Sequence, residues 1–489
     1  MSPLLSLILI PLVTAAFCMA GAAPRRISLF GTAANLLLSL HLLASYSLDI
    51  GGFQFVSENV LFPAYGIHFS LGADGLSLVL ILLATLVSFA AIWVTPHIEK
   101  FAGMFYACLL FISAGVIGAF ASLDLFFFYA FHELALIPTF LLIGIWGSGE
   151  RQRIAWKVTI YLALGSFVLL LGLIGIWLST PGTLRTLDIR LLQQFGHAGI
   201  IKPGPIVYLL LLGGFGTLIA LFPLHTWAPE AYASAPAPAA MLHAGVLKKF
   251  GLYGLLRLAV PIFPAEIQQF SHLLLILLLG NIIYVGFVTI AQKRLDLTLG
   301  YSSVMHMGYA FLGFAALNQI GLGGMSLILC AHGLSIAALF ALCGEIGRRT
   351  GTLEYNRLGG LGGFTPKLGL LFGFATMAAI GLPGFTTFAA EVLIFFGAFA
   401  NGATGAFGWF QTATALALWG VVITAIYMLR AYRRIFWGSR GSAVKDDVGD
   451  ASCNVRWAVI LLIAALLITG FRPALLLDYI NPVFAHLAQ

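Results

Sequence analysis

Residues 222–238 read FPLHTWAPEAYASAPAP, and they follow directly on an apolar run that begins near residue 205. Pro223, Pro229, Pro236 and Pro238 each lack a backbone donor, so this stretch is predicted to break or end a helix. A second interruption, GLPGF at 381–385 with Pro383 and Gly384, falls inside the apolar run 367–402. That run is too long for one straight helix and reads as two half-helices around an unwound centre. The two breaks lie five apolar spans apart. Broken segments in matching positions predict an internal repeat, spans four to eight against nine to thirteen, as in many transporters.

The composition fits that reading. Of 489 residues, 60% are hydrophobic and only 9% charged, against roughly 25% charged in soluble domains. The chain therefore reads as an all-α polytopic membrane protein. Its net charge of +7 bears on membrane orientation rather than on nucleic acid, which is not an expected partner. Apolar spans number about fourteen, near 2–22, 27–47, 74–95, 102–122, 124–146, 155–178, 205–227, 239–260, 269–290, 297–316, 319–346, 367–402, 409–436 and 456–474. The broken ones are helices 7 and 12. Four units follow: 1–100 with three helices and an external loop at 48–73, the repeats 101–262 and 263–436, and 437–489 with a polar loop and a last helix. The Gly- and aromatic-rich loop 48–73 is a candidate external hairpin.

Basic residues orient the chain. Alternate loops on one side hold Arg25, Arg26, Lys100, Arg151, Arg153, Lys293, Arg294, Arg348, Arg349, Arg357, Arg433, Arg434, Arg440 and Lys445. The other side holds chiefly Arg185, Arg190, Lys202 and Arg472. The first side is cytoplasmic, which places both termini outside. Arg25 and Arg26 follow the first apolar run rather than precede it, so residues 1–23 read as a helix and not a secretory leader. The five cysteines are scattered with no CxxC spacing, which argues against a metal or iron–sulfur site. Phosphate loops, GxGxxG and nucleophile elbows are absent from the sequence.

What remains inside the spans is a short set of ionisable groups, each a functional candidate by its cost in lipid. Glu133, in FFFYAFHELALIPTF at 126–140, is a candidate proton-carrying carboxylate, or a structural acid locking two helices. His132 lies about 100° round the helix from it. Lys249 can cycle between charged and neutral forms when buried. Its neighbour Lys248 points about 100° away and is either a relay or a snorkelling side chain. Arg257 reads as an anchor near the outer boundary. Glu391 follows the GLPG break and is the candidate exit group, since irregular backbone at membrane depth is tolerated beside protein or a wet cavity. His306 and His332 are candidate relays or helix-to-helix hydrogen bonders.

These residues carry a family likeness. LFFFYAFHELALIPTFLLIGIWG, FPLHTWAPEAYASAPAPAAMLHAGVLKKFGLYGLLR, GYSSVMHMGYAFLGF, AHGLSIAALFALCGEI and GLPGFTTFAAEVLIFFG resemble the antiporter-like membrane subunits of respiratory complex I, the proton-pumping NADH:quinone oxidoreductase, and their relatives in Mrp antiporters. The likeness runs from about residue 72 to the end of the thirteenth span. It is nearest to the M-type branch (subunit 4 in mitochondria). Glu391 stands where the L, N and Mrp subunits usually carry Lys, and no long lateral helix follows span fourteen. The resemblance implies two inverted five-helix repeats, a hydrophilic axis through Glu133, Lys249, His332 and Glu391, and proton translocation driven by redox chemistry elsewhere. It implies no cofactor on this chain. NADH, FMN, Fe–S clusters and quinone would sit on partner subunits, with two other antiporter-like subunits on either side, lipids around them, and the bacterial inner membrane as location.

One departure stands out. The family usually has a lysine five residues before PLH, paired with the fifth-helix glutamate; here that position is Leu218. Candidates for the lost cation are His132, His225, His243 and Lys248. Otherwise the first half-channel is altered or silent, and the chain is a structural bridge. A subunit of a Mrp-type Na⁺/H⁺ antiporter or of a membrane-bound hydrogenase is the alternative context.

Overall fold

The computed structural model describes residues 2–21, 23–62, 66–401 and 407–487. Among them, nine helices are long and apolar enough to cross a membrane, including Leu125–Trp146, Arg151–Ser179 and Gln319–Thr350. Shorter apolar helices account for the first predicted span and the two broken ones, Pro205–Ile219 in one and Pro366–Ile380 with Thr386–Ala400 in the other; Leu295–Ala315 and the irregular stretch 237–262 account for the other two.

The helices Gly75–Val94, Ala102–Ala121 and Gln319–Thr350 are buried along almost their whole length. Leu125–Trp146, Arg151–Ser179 and Trp409–Phe436 leave an apolar face open. A helix hydrophobic all round suits the centre of a bundle in lipid, and its place is set by packing against neighbours.

The first break runs from Ala220 to Thr226, between Pro205–Ile219 and Trp227–Ser234. Not every proline in the opening stretch acts as a stop. Pro229 lies in the first turn of Trp227–Ser234, and Pro238 in the first turn of Ala237–Leu242. The first turn has no intrahelical partner for its N–H groups, so proline is harmless there. The second break runs over Gly381–Phe385, between Pro366–Ile380 and Thr386–Ala400, as its Gly and Pro predict.

The lysine-bearing helix is irregular. It runs through Ala237–Leu242, a π-helical turn His243–Leu247, Lys249–Gly254, a second π-turn Leu255–Ala259, and Val260–Ile262. It crosses Gln319–Thr350 where two glycines meet. A Cβ at Gly333 would lie 2.7 Å from the Gly245 carbonyl oxygen, so only glycine permits the approach. That crossing sets Lys249 beside His332.

Three features differ from expectation or extend it. Arg257 is not a boundary anchor: it is buried and ion-paired with Asp74, the N-cap of Gly75–Val94, and donates to Ser77 Oγ at 2.9 Å. Residues 48–73 contain β1 (Gln54–Phe62) and β2 (Ile67–Ala73), paired antiparallel with Glu58 opposite Ser70; residues 63–65 of that loop lie outside the described residues. The segment after Arg151–Ser179, expected as loop, holds an amphipathic helix Ile189–His197 that buries Ile189 and Leu192.

Candidate functional site

Lys249 is wholly buried, and its Nζ lies 2.7 Å from His332 Nδ1 and donates to the Ala244 carbonyl at 3.3 Å. The His332 ring stands 5.5 Å from the His306 ring, centre to centre. His306 sits on Leu295–Ala315 and reaches the second break: Nδ1 lies 2.8 Å from the Ser302 carbonyl oxygen and Nε2 3.1 Å from that of Ala379. A neutral imidazole donates to one of these oxygens and an imidazolium to both, so this site accepts a proton without rearrangement. Two residues past Ala379, the turn at Gly381 abuts Glu391: a Cβ there would lie 2.5 Å from Glu391 Oε2. Glu391 is buried and has no ion-pair partner among the described residues. The order in space is therefore Lys249, His332, His306, then the break and Glu391. Helices far apart in sequence supply one line of proton-binding groups.

Glu133 lies apart from that line. It is half-buried on Leu125–Trp146 and accepts a hydrogen bond from Ser166 Oγ of Arg151–Ser179. None of the four candidates for its missing cation forms a hydrogen bond or ion pair with it among the described residues. His132 turns inward and stacks flat on Phe250, with centroids 4.1 Å apart and planes 2° apart. His225 lies in the first break and stacks on Phe222. His243 packs on the edges of Trp227 and Tyr232. Lys248 donates from Nζ to the carbonyl and the hydroxyl of Ser303, both at 3.0 Å. A hydroxyl takes the place of the expected cation, and a hydroxyl brings no charge to balance the carboxylate.

Other functional groups carry no charge. Asn281, wholly buried in the π-turn Gly280–Tyr284, donates from Nδ2 to the carbonyls of Ala220 and Val304, both at 3.0 Å. Its Oδ1 accepts from Phe222 N at 2.7 Å. The backbone freed by the first break is thus satisfied, as a dry interior requires. Ser166 and Ser303 likewise gave no signal, because a hydroxyl is unremarkable in an apolar span. At the N-terminal end of its helix, Asp124 caps Leu125–Trp146 by accepting from Phe126 N at 2.8 Å. Among the described residues no group of three or more His, Cys, Asp or Glu could hold a metal ion.

The family model described as NADH:quinone oxidoreductase/Mrp antiporter, TM, matches residues 122–417. The chain belongs to this family. It is 34% identical over 477 residues to an NADH-quinone oxidoreductase subunit M of Rhodobacter capsulatus, covering 95% of this chain and 90% of that one. It is also 34% identical over 447 residues to an NAD(P)H-quinone oxidoreductase chain 4 of Gloeobacter violaceus, covering 91% and 84%. Among solved structures, a chain of respiratory complex I from Thermus thermophilus with bound NADH superposes with a TM-score of 0.88 at 29% identity, covering both chains fully. A chain of an Mrp complex from Dietzia sp. shares the fold, with a TM-score of 0.85 at 21% identity over 100% of this chain and 97% of that one. This antiporter-family chain therefore has the architecture of complex I membrane subunits, and its line of buried ionisable groups lies within the matched region.

Proposed function

We propose that this chain is a proton-translocating membrane subunit of a complex I-type NADH:quinone oxidoreductase. The observation that carries the reading is the buried succession Lys249, His332, His306 and the second break, ending at Glu391. Such groups are expensive in a membrane interior and earn their place by moving charge. Protons pass from Lys249 through His332 and His306 to Glu391 and leave on the outer side. Moving one charge against 100 mV costs about 2.3 kcal/mol, and electron transfer in partner subunits supplies it. NADH, FMN, Fe–S clusters and quinone belong to those partners, and two other antiporter-like subunits flank this one. Glu133, open on one side and held by a hydroxyl, is placed to respond to a charge on a neighbour.

The wider reading keeps fourteen crossings, two inverted repeats of helices 4–8 and 9–13, and the units 1–100, 101–262, 263–436 and 437–489. The excess of Lys and Arg in alternate loops supports a bacterial inner-membrane protein with both termini outside. The assembled complex in sealed vesicles tests the function. Lys249→Ala should remove this chain's share of protons moved per NADH oxidised; an unchanged ratio refutes the reading.

One observation favours a second reading. Glu133 has no cation partner among the described residues, as expected of a structural bridge with an impaired channel, and in that case Glu133→Gln and Lys249→Ala both leave the ratio unchanged. The fold shared with an Mrp complex keeps the antiporter or hydrogenase context as the alternative. Neighbouring genes for short antiporter subunits or hydrogenase subunits would assign it.

A further inference from the structure

Lys248 and Lys249 are adjacent, 2% and 0% exposed, and neither has a carboxylate within ion-pair distance among the described residues. Two neighbouring ammonium groups without a counter-ion are far costlier in a low-dielectric interior than one. They also look in different directions. Lys249 meets His332, with Met307 at 4.0 Å from Nζ and Cys330 nearby. Lys248 meets Ser303 on the same helix as His306, three residues earlier, and lies 5.6 Å from the centre of the Tyr232 ring.

Tyr232 connects Lys248 to the surface. A cavity of about 330 Å³ opens on the side of Arg294, Asp296 and Glu354, and Tyr232 forms part of its wall. The same ring lies 5.5 Å from His243. Tyr232 Oη and both ring nitrogens of His243 are buried without a hydrogen-bond partner. Buried polar atoms without a partner are exceptional, and here they lie between Lys248 and an open cavity.

We propose that Lys248 and Lys249 hold one proton between them: Lys248 takes it up from the Arg294-side cavity by way of Tyr232 and His243, and Lys249 passes it to His332. The proposal rests on the proton-translocating reading and names its loading step. Transfer within the pair moves a proton from the Lys248 ammonium to the Lys249 free amine and leaves the pair's charge at one; uptake by way of Tyr232 and His243 adds that proton, and release to the His332 imidazole removes it. Lys249 must discharge to His332 before Lys248 can pass on the next proton, which makes the pair a one-at-a-time valve. Tyr232 and His243 on the Lys248 side, and His332, His306 and the Cys330 thiol on the Lys249 side, are titratable groups that face the pair.

The test compares Lys248→Gln, Lys248→Arg and Lys249→Gln in the whole complex in sealed vesicles. Lys248→Gln keeps a hydrogen bond to Ser303 but holds no proton, and should lose this chain's share of protons per NADH. Lys248→Arg keeps the donors and fixes the charge, and should lose the same share, which a structural hydrogen bonder would not. If Lys248→Gln or Lys248→Arg keeps the wild-type ratio while Lys249→Gln lowers it, the shared-proton proposal is overturned and translocation stands. If none of the three lowers it, the translocating reading itself falls. A measurement on the unaltered complex covers failure to assemble. Nitrogen-15 spectra of lysine-labelled protein near neutral pH should show one neutral amine, as a separate signal or as two lysine signals midway between the charged and neutral positions. Spectra with no neutral amine, or with two, overturn the proposal.

Discussion

The two breaks are built alike and closed differently. In each, an apolar half-helix ends on a residue in the left-handed region, Ala220 at φ 68° and Gly381 at φ 80°. In each, a side chain from a neighbouring helix takes up the freed backbone. At the first break that side chain is Asn281, bonded to Ala220 O, Val304 O and Phe222 N. At the second it is His306, bonded to Ala379 O and Ser302 O. An amide satisfies backbone as well as an imidazole does, but it cannot carry a proton. The first break is therefore a structural joint beside His225 and a leucine at position 218. The second is a joint whose imidazole can also hold a proton, which on the proposed reading makes it a station between His332 and Glu391. Nature of closure, not presence of a break, separates scaffold from pathway.

That contrast can be broken experimentally, most severely at Asn281. Asn281→Leu strands the Ala220 carbonyl and the Phe222 amide in a dry interior, while the Val304 carbonyl keeps its helical bond, a loss of about 3 kcal/mol. Little assembled complex should remain in membranes, as judged by native gel and thermal unfolding. His306→Asn makes the second break resemble the first. It should leave assembly and the partner subunits' NADH oxidation in place while removing this chain's share of protons per NADH. Gly381→Ala works on geometry alone. It costs about 1 kcal/mol in backbone strain and drives a Cβ to 2.5 Å from Glu391 Oε2, so the carboxylate must move. A partial fall in the proton ratio, with a slightly lower unfolding temperature, is the expected outcome. Smallest is Ala220→Gly. Relief of left-handed strain is worth about 1 kcal/mol, less the added backbone freedom of glycine, about 0.5 kcal/mol. Unfolding should shift slightly upward with the proton ratio unchanged.

Much of this was legible in the sequence because proline, glycine and charge leave marks. The four prolines and GLPGF located both breaks, although Pro229 and Pro238 turned out to start helices rather than stop them. Lys249, His332, His306 and Glu391 stood out as ionisable points in apolar spans. Their order in space was not legible, since it depends on the Gly245–Gly333 crossing between distant helices. A regular helical wheel does not hold beyond residue 243. Each π-turn adds a residue to the turn and shifts every later side chain, and Arg257 lies past the first of two and inside the second. Its partner Asp74 lies 183 residues away, beyond any local pattern. Glu133 was sought a charged partner because its family context suggested one; a serine in an apolar helix offered no reason to be considered. Asn281 escaped notice for the same reason.

The central claim is that Glu391, behind the second break, is the last proton-binding group on this chain. The most direct measurement is the number of protons moved per NADH oxidised by the whole complex in sealed vesicles, with Glu391→Gln beside the unaltered protein. Glutamine keeps the shape and cannot release a proton. A lowered ratio with assembly and NADH oxidation intact is the predicted result. An unchanged ratio would contradict the account.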